Sequence, residues 1–428
     1  MKDGAKSRTA VVVLLIVLLW SSAAAAQQLA VSNFMTDDGL AHPQVWSVYQ
    51  DSRGYLWIGT TDGLNRYDGT AFSRFTTRDG LRNVTVRTII EDDHGRLWFG
   101  TEPGLSTHDG KRIFSRDPAT GAPEGTIWDS ARDSAGRLWF ATQYSGVVSY
   151  DGKFSSFDSN GLLPSDYAYG VLADSSGNLW IGHRGEGLTR CRIGDDGKLS
   201  DCRTFDSRDG LENLDIHALA EDADGNIWFG TRGSGIGRID SAGRVTTFTT
   251  DDGLSQNDVY ALLVNESGEL VIGTISEGID ICSLPDLSGC RNIRERHGLA
   301  DNGVIALALD RANDLWVGLE NGLTRIGSEQ LLSLGPRHGL PHHTVYALAE
   351  EEPDRVWVGT LDGLAIVAEK ENGFSITRET GEVPLPGEQV WDMELDRSGR
   401  LWIATNAGLC RYEQNRGCVE IIDEESGL

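Results

Sequence analysis

The sequence predicts an all-β fold, a β-propeller built from four-stranded antiparallel blades. Three observations lead to this prediction. One sequence unit returns nine times, each copy spans between 41 and 48 residues, and each copy holds four short strand patterns separated by glycine-rich turns. A period of about 40–50 residues with four strands per unit is typical of propellers.

The repeat is clearest in its tryptophans, which occur once per unit. They lie at Trp57, Trp98, Trp139, Trp180, Trp228, Trp316, Trp357 and Trp402, and Val271 takes the ninth place. The steps between successive positions are 41, 41, 41, 48, 43, 45, 41 and 45 residues. No stretch from about Leu29 to Leu428 falls outside this rhythm, so we expect neither a linker nor an appended domain.

Within one unit every local signal favours a strand. VWSVYQD and YLWIGT are rich in β-branched and aromatic residues, and LNRYDG and TAFSRFTT follow after further Gly/Asp turns. Four strands of about five residues fill the unit and leave no room for a helix. One such sheet cannot bury both faces, whereas copies stacked around an axis can.

The acidic turn that opens each unit has a structural explanation. Its first residue is Asp51, Asp92, Asp133, Asp174, Asp222, Asp310 or Asp396, with Asn265 and Glu351 as substitutes. We expect the carboxylate to accept backbone N–H bonds within the turn. Strict repetition argues against nine general acids or calcium ligands. In L-W-I-G-T, Gly59 shares a face with Trp57 and leaves room for the indole or a neighbouring backbone.

The N-terminus predicts export. Lys2, Lys6 and Arg8 precede the apolar run Val11–Trp20, and small residues follow. Ten apolar residues are too few for a membrane span, which needs about 20. We therefore predict a signal peptide at residues 1–26 and a periplasmic or secreted protein without a membrane span after cleavage. An N-terminal membrane anchor is the alternative.

The formal net charge of −26 excludes two classes of partner. A strongly acidic protein is repelled by nucleic acid and by anionic membrane surfaces. We expect neither as a partner.

The repeat resembles the regulator-propeller repeats in the periplasmic sensor regions of bacterial two-component proteins. The matching residues are Asp51, Gly54, Leu56, Trp57, Ile58, Gly59, Thr60, Gly63, Leu64, Tyr67 and Asp68. The resemblance covers essentially the whole chain after residue 26. It implies seven-bladed propellers, often two in tandem, followed by an immunoglobulin-like domain, a membrane helix and a histidine kinase or another output module.

This sequence departs from that plan, because it stops at EESGL without a kinase motif or output domain. We expect residues 27–327 to form a first propeller of about seven blades. The segment Val31–Met35 is predicted to close it against the blade of Trp316. Residues 328–428 would add two further blades, the start of a truncated second propeller. A single nine-bladed ring is the alternative.

Six cysteines form three close pairs in the sequence. In each pair the first follows the start of a third strand and the second begins the fourth, positions that antiparallel neighbours bring within disulfide reach. An exported chain favours such bonds. We predict the disulfides Cys191–Cys202, Cys282–Cys290 and Cys410–Cys418. A zinc site would need Cys-x-x-Cys or clustered histidines, and the sequence has neither.

The sequence contains no recognisable catalytic motif. His342 and His343 are adjacent, so their side chains are expected to diverge, and we interpret them as surface residues rather than metal ligands. We predict no cofactor, no metal and no catalytic activity in this chain, although full-length members of the family often carry a histidine kinase.

Function is expected where the copies differ. One variable row lies in the innermost strands: Trp46, Arg87, Trp128, Tyr169, His217, Tyr260, Ile305, Tyr346 and Trp391. A second set follows the G-T of the second strand: Gln143, Tyr144, His183, Arg184, Arg232, Glu320 and Asn321. In propellers these two regions share a face, so they could form one pocket. The row could instead serve only packing between blades.

We predict ligand contacts from eight of these residues: Trp46, Trp128, Tyr169, Gln143, Tyr144, His183, Arg184 and Arg232. The favoured function is a sensor that binds a small molecule or carbohydrate and acts as a homodimer or through a membrane-anchored signalling partner. One alternative is an enzyme resembling streptogramin lyase, using His183 or His217. The other is a scaffold for envelope proteins.

Overall fold

The computed structural model describes residues 27–28, 30–327, 331–332, 336, 339–352, 355–370, 373–379, 381–396, 398–414, 416–423 and 426. They fall into two compact units, Leu29–Gln330 and a smaller one that contains Leu331–Leu428. The predicted signal peptide, residues 1–26, lies outside the described residues. Among the residues described, no helix is long and apolar enough to cross a membrane.

The larger unit contains seven antiparallel four-stranded sheets. Two short strands come first in the chain: β1 (Gln27–Gln28), which belongs to the smaller unit, and β2 (Val31–Phe34), which belongs to the larger one. The first three sheets follow as β3 (Val45–Gln50), β4 (Leu56–Thr60), β5 (Gly63–Tyr67), β6 (Phe72–Phe75), β7 (Val86–Glu91), β8 (Leu97–Thr101), β9 (Gly104–His108), β10 (Ile113–Ser115), β11 (Ile127–Arg132), β12 (Leu138–Thr142), β13 (Val147–Tyr150) and β14 (Phe154–Phe157).

The next three sheets have the same order. They are β15 (Ala168–Ala173), β16 (Asn178–His183), β17 (Leu188–Ile193), β18 (Leu199–Phe205), β19 (Ile216–Glu221), β20 (Ile227–Thr231), β21 (Ile236–Ile239), β22 (Val245–Phe248), β23 (Val259–Val264), β24 (Glu269–Thr274), β25 (Ile279–Ser283) and β26 (Ser288–Ile293). The seventh sheet combines β27 (Val304–Leu309), β28 (Leu315–Leu319) and β29 (Gly322–Ile326) with the distant strand β2.

Strand β2 links the beginning of the larger unit to its end. It pairs antiparallel with β29, from Val31 opposite Ile326 to Phe34 opposite Leu323, as the sequence predicts for an outer strand. The inner strand of the seventh sheet, β27, packs against β3 of the first. One buried cluster joins Val45 and Ile58 to Trp316. The seventh sheet therefore contacts the first within the larger unit.

The smaller unit contains two further sheets. Its strands are β30 (Leu331–Leu332), which pairs with β1, then β31 (Val345–Glu352), β32 (Arg355–Thr360), β33 (Gly363–Lys370), β34 (Gly373–Glu379), β35 (Val390–Leu395), β36 (Leu401–Thr405), β37 (Gly408–Glu413) and β38 (Gly417–Ile422). The two sheets share a buried cluster that includes Trp357, Val390 and Ile403. The predicted domain bounds, 27–327 and 328–428, stay predictions.

The prediction that the repeat has no room for a helix is wrong in one detail. Within the described residues, six three-residue 3-10 helices precede inner strands, at Thr36–Asp38, Thr77–Asp79, Pro118–Thr120, Ser207–Asp209, Thr250–Asp252 and Glu295–His297. Each ends in a glycine with a positive φ, 108° at Gly80, which an L side chain rarely adopts. In these repeats the turn before the inner strand is therefore a single helical turn closed by a left-handed glycine.

The acid that opens each repeat does more than hold its turn. Asp51 Oδ1 accepts the N–H groups of Arg53 and Tyr55, as predicted, while Oδ2 accepts the indole N–H of Trp57 at 2.9 Å. The same acid–indole bond occurs in eight repeats, at 2.8–3.2 Å. In the remaining repeat, the sixth along the chain, Val271 replaces the tryptophan and Asn265 replaces the acid. Acid and indole change together because each satisfies the other.

The glycine of L-W-I-G-T allows the next sheet to approach. A Cβ on Gly273 would lie 2.5 Å from Val304 Cγ1, the first residue of the next inner strand. Equivalent contacts pair Gly59 with Val86, Gly100 with Ile127, Gly182 with Ile216, Gly230 with Val259, Gly318 with Val45 and Gly359 with Val390. In the third sheet the glycine is Ala141, and the facing residue of the next strand is the small Ala168 in the same buried cluster.

The three predicted disulfides are present. Cys191–Cys202, Cys282–Cys290 and Cys410–Cys418 have Cα separations of 4.1, 4.1 and 5.6 Å. Each joins the third and fourth strands of one sheet, so it staples an outer hairpin, where fewer neighbouring strands pack.

Candidate functional site

Every inner strand has a β-bulge near its start, and the bulge positions the variable row. In the first sheet Val45 pairs with Thr60 and Ser47 with Gly59, so Trp46 is left unpaired between them. The same register shift occurs in all nine sheets, at Trp46, Arg87, Trp128, Tyr169, His217, Tyr260, Ile305, Tyr346 and Trp391. Bulges redirect a side chain out of the regular alternation. The variable row is therefore a set of bulge residues.

In the larger unit six of these bulge residues form a continuous chain of ring contacts, which we call the aromatic row: Trp46, Arg87, Trp128, Tyr169, His217 and Tyr260. The Trp128 and Tyr169 rings are 5.3 Å apart, Tyr169 and His217 stack at 4.3 Å, and His217 and Tyr260 stack at 4.8 Å. All six are half-buried. They pack against each other across blades and still present surface to solvent.

Arg87 interrupts the row with a fixed positive charge. Its guanidinium carbon lies 3.8 Å from the ring centroid of Trp46 and 4.4 Å from that of Trp128. A cation between two indole faces is attracted by both. Nε and Nη2 of Arg87 also donate to Glu102 Oε2, at 2.9 and 2.6 Å. This ion pair connects the row to the turn after β8.

His217 is neutral at pH 7. Burial between Tyr169 and Tyr260 lowers the pKa of His217 to about 4, and Arg232 acts in the same direction. Its Nε2 is buried and has no hydrogen-bond partner among the described residues. An imidazole in this state contributes a flat stacking surface rather than a charge.

One acid lies beside the row. Asp129, the residue after Trp128, accepts the backbone N–H groups of Val171 at 3.0 Å and Ser130 at 2.8 Å. Burial raises the pKa of Asp129 to about 6, because the two N–H bonds only partly offset desolvation of the carboxylate. The folded protein thus holds an ionised but poorly solvated carboxylate at pH 7.

Relative to wild type, we expect Asp129→Asn to be more stable at pH 7 than at pH 4 by about 2 kcal/mol, because it removes the poorly solvated charge. At both pH values the amide keeps only one of the two N–H bonds, since Oδ1 accepts from Ser130 and Oδ2 from Val171 and an amide has one acceptor oxygen. The folded pKa of Asp129, about 6, exceeds that of an unfolded aspartate. The wild-type penalty is therefore full above pH 6, shrinks as the pH falls, and disappears near pH 4, about the unfolded value. Urea unfolding at pH 7 and pH 4 measures this difference.

The control is Asp392→Asn, at the same place in the inner strand β35. Asp392 is exposed, so its substitution should leave the unfolding free energy unchanged at both pH values. A difference in unfolding free energy between Asp129→Asn and wild type that is the same at pH 7 and pH 4 would contradict the buried-charge explanation.

The loops after the second strands lie against the row, as predicted for a shared face. The Trp46 indole donates to Thr61 Oγ1 at 2.9 Å, just after β4. The Arg184 guanidinium carbon lies 5.2 Å from the ring centroid of Tyr167, which stacks on Trp128 at 6.1 Å. Loop side chains therefore contact the row directly in the first two sheets, and in the fourth they reach it through Tyr167.

One open pocket lies on this face, beside the third sheet. It has a volume of about 530 Å³ and is lined by the β8–β9 turn, the loop before β11 and the β12–β13 turn. We call it the rim pocket. Its polar lining includes Glu102, Glu124, Gln143, Ser145 and Ser156, and Tyr144 contributes an aromatic ring that is 69% exposed. An exposed aromatic ring with convergent polar groups is the usual composition of a ligand site.

The predicted ligand residues divide into three groups. Trp46, Trp128 and Tyr169 belong to the aromatic row, and Gln143 and Tyr144 line the rim pocket. Arg184 and Arg232 are exposed on their loops.

The structure corrects the prediction that His183 contacts a ligand, because this side chain is fully buried. Its Nε2 lies 2.9 Å from Thr189 Oγ1, and burial lowers its pKa to about 4. As the last residue of β16 it points into the sheet packing, so it cannot contact a ligand on the face.

The sequence prediction missed Glu102 and Glu124. Glu102 directly follows LWFGT, the same position as Gln143 and Arg184, so its place in the repeat could have identified it. Glu124 lies in the loop that enters β11 and has no signal in the repeat.

The prediction that His342 and His343 diverge is wrong. Their ring centroids are 3.9 Å apart. His342 Nδ1 accepts the N–H of Thr344 at 3.0 Å, which curls the loop and brings the two rings together. His42 makes the same bond to Gln44 in the first repeat, so this histidine shapes the entry to an inner strand. Among the residues with described positions, no group of three or more His, Cys, Asp or Glu could hold a metal.

In the smaller unit the bulge residues have a different environment. Tyr346 is 53% exposed and Trp391 is 55% exposed.

Comparison with known proteins supports the repeat and the fold. The family described as Two component regulator propeller matches residues 39–62, 80–102, 210–233 and 384–407. No protein of curated function matches the chain.

Solved structures share the fold at low identity. The extracellular domain of the putative hybrid two component system BT3049 from B. thetaiotaomicron is 21% identical, with a TM-score of 0.61, covering 92% of this chain and 54% of that one. The bacterial surface component PorZ of Porphyromonas gingivalis is 16% identical, with a TM-score of 0.56, covering 87% and 60%. Virginiamycin B lyase from Staphylococcus aureus is 14% identical, with a TM-score of 0.56, covering 71% and 99%.

The chain spans about half the length of the two-component structures it matches. Sequence identities this low show a shared fold but not a shared activity, so the lyase is a distant propeller relative. The four matched segments show that the chain contains repeats that match the two-component regulator propeller model, and the described residues form nine four-stranded sheets with a repeated acid–indole bond.

Proposed function

We propose that this chain is the ligand-sensing region of an exported two-component-type signalling protein. It binds a small molecule or carbohydrate at the face that carries the aromatic row and the rim pocket. The observation that carries the proposal is the exposed Tyr144 ring in a pocket of polar groups, next to the half-buried row. Sugars and many metabolites bind by stacking an apolar face on an aromatic ring while side chains bond their polar groups.

The Arg87–Glu102 ion pair supplies a route by which a bound ligand affects the packing of the larger unit. Glu102 lines the rim pocket, and Arg87 lies between Trp46 and Trp128 of the row. A ligand that contacts Glu102 alters the anchor of that guanidinium. The resulting change in blade packing would pass to a second propeller, to a second copy of the chain, or to a membrane-anchored partner.

Export agrees with this role. The predicted signal peptide at residues 1–26 and the three disulfides both suit a periplasmic or extracellular protein.

A thermal-shift screen of the purified protein against oligosaccharides and metabolites tests the proposal. A ligand that binds the folded state raises the melting temperature with its concentration. We expect Tyr144→Ala to abolish that rise, because it removes the exposed ring. Phe114→Ala, which removes another exposed ring on the outer strand β10, should leave it unchanged.

Two results would oppose the proposal. A ligand that stabilises wild type and Tyr144→Ala equally binds elsewhere. Failure of every ligand, together with recovery of a specific envelope protein by the purified chain, would favour the scaffold function.

A further inference from the structure

We propose that the rim pocket selects a ligand that carries both a protonated amine and hydroxyl groups. This inference rests on the proposed function, because it names the ligand class of the same pocket. It is argued from the charges that line the pocket, from how Glu102 is held, and from the position of Tyr144.

The ionised side chains of the lining are all negative. Glu102 and Glu124 are its two carboxylates, and no lysine, arginine or histidine lines it. The whole chain carries a formal charge of −26, so its field attracts cations and repels anions before contact. A carboxylate or phosphate ligand would find no cationic side chain in this lining and would face two carboxylates.

Glu102 is held in place and keeps one oxygen available. Both donors of Arg87 bond to Oε2, at 2.9 and 2.6 Å, and no hydrogen bond within the described structure reaches Oε1. Arg87 is itself fixed between two indole rings. The carboxylate remains 43% exposed. It is thus an acceptor whose orientation is set before a ligand arrives, and a preorganised group binds at lower entropic cost.

Glu124 provides the second negative charge. It is exposed on the loop before β11, and among the described residues its carboxylate has neither an ion pair nor a hydrogen bond. Its neighbour Gly125 lets the loop lie close to Tyr144, because a Cβ there would be 3.2 Å from Tyr144 Cδ2. Glu124 and the Tyr144 ring are therefore near neighbours.

The remaining groups of the lining suit a hydroxylated cation. An aromatic face attracts an ammonium group, and charge-assisted hydrogen bonds to carboxylates are stronger than neutral ones. The amide of Gln143 and the hydroxyl groups of Ser145 and Ser156 can bond the ligand's hydroxyl groups. A neutral sugar would lose the charge-assisted bonds, and an anionic sugar would also be repelled.

Four sugars with one ring skeleton separate these cases: glucosamine, N-acetylglucosamine, glucose and glucuronate. Calorimetric titration of the full chain should show glucosamine binding about tenfold tighter than the neutral pair, the effect of one lost charge-assisted bond. Glucuronate should not bind. The glucosamine affinity should fall as salt is raised, because charges at a solvent-open site are screened.

Variants locate the effect. Glu124→Gln and Glu102→Gln should each weaken glucosamine binding about tenfold without weakening any residual binding of glucose. Glu212→Gln removes the same charge from an exposed loop outside the pocket and should leave the affinity unchanged. Folding of each variant is checked by its far-ultraviolet circular dichroism spectrum.

The outcomes distinguish this inference from the proposed function. If glucose and N-acetylglucosamine bind as tightly as glucosamine and Tyr144→Ala abolishes all binding, the pocket is a ligand site but its preference for amines is refuted. If Glu212→Gln weakens binding as much as Glu124→Gln, the attraction is general and the inference fails. If none of the four sugars binds, the inference also fails, and the proposed function is then judged by the Tyr144→Ala screen alone.

Discussion

Gly273→Ala is expected to destabilise the larger unit by about 2–3 kcal/mol, because it forces a methyl group into a filled interface between blades. The new Cβ would lie 2.5 Å from Val304 Cγ1 and 3.2 Å from the Cβ atoms of Ala261 and Val304. Val304 is 1% exposed at the start of β27, so it has no open space to move into. Close-packed interiors respond to one added methyl group.

The third sheet of this chain shows which second substitution should compensate for Gly273→Ala. Where the third sheet has Ala141 at this position, the facing residue is Ala168, and both are fully buried. Val304→Ala should therefore relieve Gly273→Ala, since it removes the Cγ1 atom that makes the shortest contact. The double variant should be less destabilised than the sum of the single variants by about 1–2 kcal/mol.

Guanidinium unfolding under non-reducing conditions measures all three variants. The comparison needs equal m-values, so that midpoint differences report stability. Strict additivity of the two substitutions would show that this glycine does not set the distance between blades.

The fold could be predicted from the sequence because its determinants are local and repeated. The turn at Asp51, the strand through Trp57 and the glycine at position 59 recur, so chance similarity at one copy is corrected by the others. The pairing of strand β2 with the seventh sheet could be predicted for the same reason, since Val31–Phe34 has the pattern of an outer strand that lacks its own sheet.

The candidate site was predicted less completely, because part of it depends on three-dimensional contacts that carry no repeat signal. The row residues were recognisable as the variable position of the inner strand, but nothing in the sequence indicates that each is a bulge. His183 was assigned to the loop, but it occupies the place of Thr60, the last residue of the second strand, and it is fully buried like that threonine. Glu124 enters the pocket only because the loop before β11 folds against the turn that carries Tyr144.

Trp98→Phe is expected to lower the unfolding free energy by about 3 kcal/mol. The Trp98 indole is fully buried and donates to Asp92 Oδ2 at 3.0 Å. Phenylalanine keeps most of the contact with Tyr150, whose ring centroid is 4.5 Å away. It leaves one oxygen of a carboxylate without its donor, however, and an unsatisfied charged acceptor costs more than a lost neutral hydrogen bond.

The repeat of Asn265 and Val271 predicts how that cost can be reduced. Asn265 Oδ1 still accepts the N–H of Glu269, at 2.8 Å, so an amide is sufficient to hold the turn when no indole is present. Asp92→Asn alone should destabilise the protein, because its amide nitrogen cannot accept the indole N–H. Combined with Trp98→Phe, it removes the unpaired charge, and the double variant should be more stable than additivity predicts by about 1–2 kcal/mol. A coupling energy near zero in the same unfolding assay would mean that acid and indole are retained independently, and the joint change to Asn265 and Val271 would then have another cause.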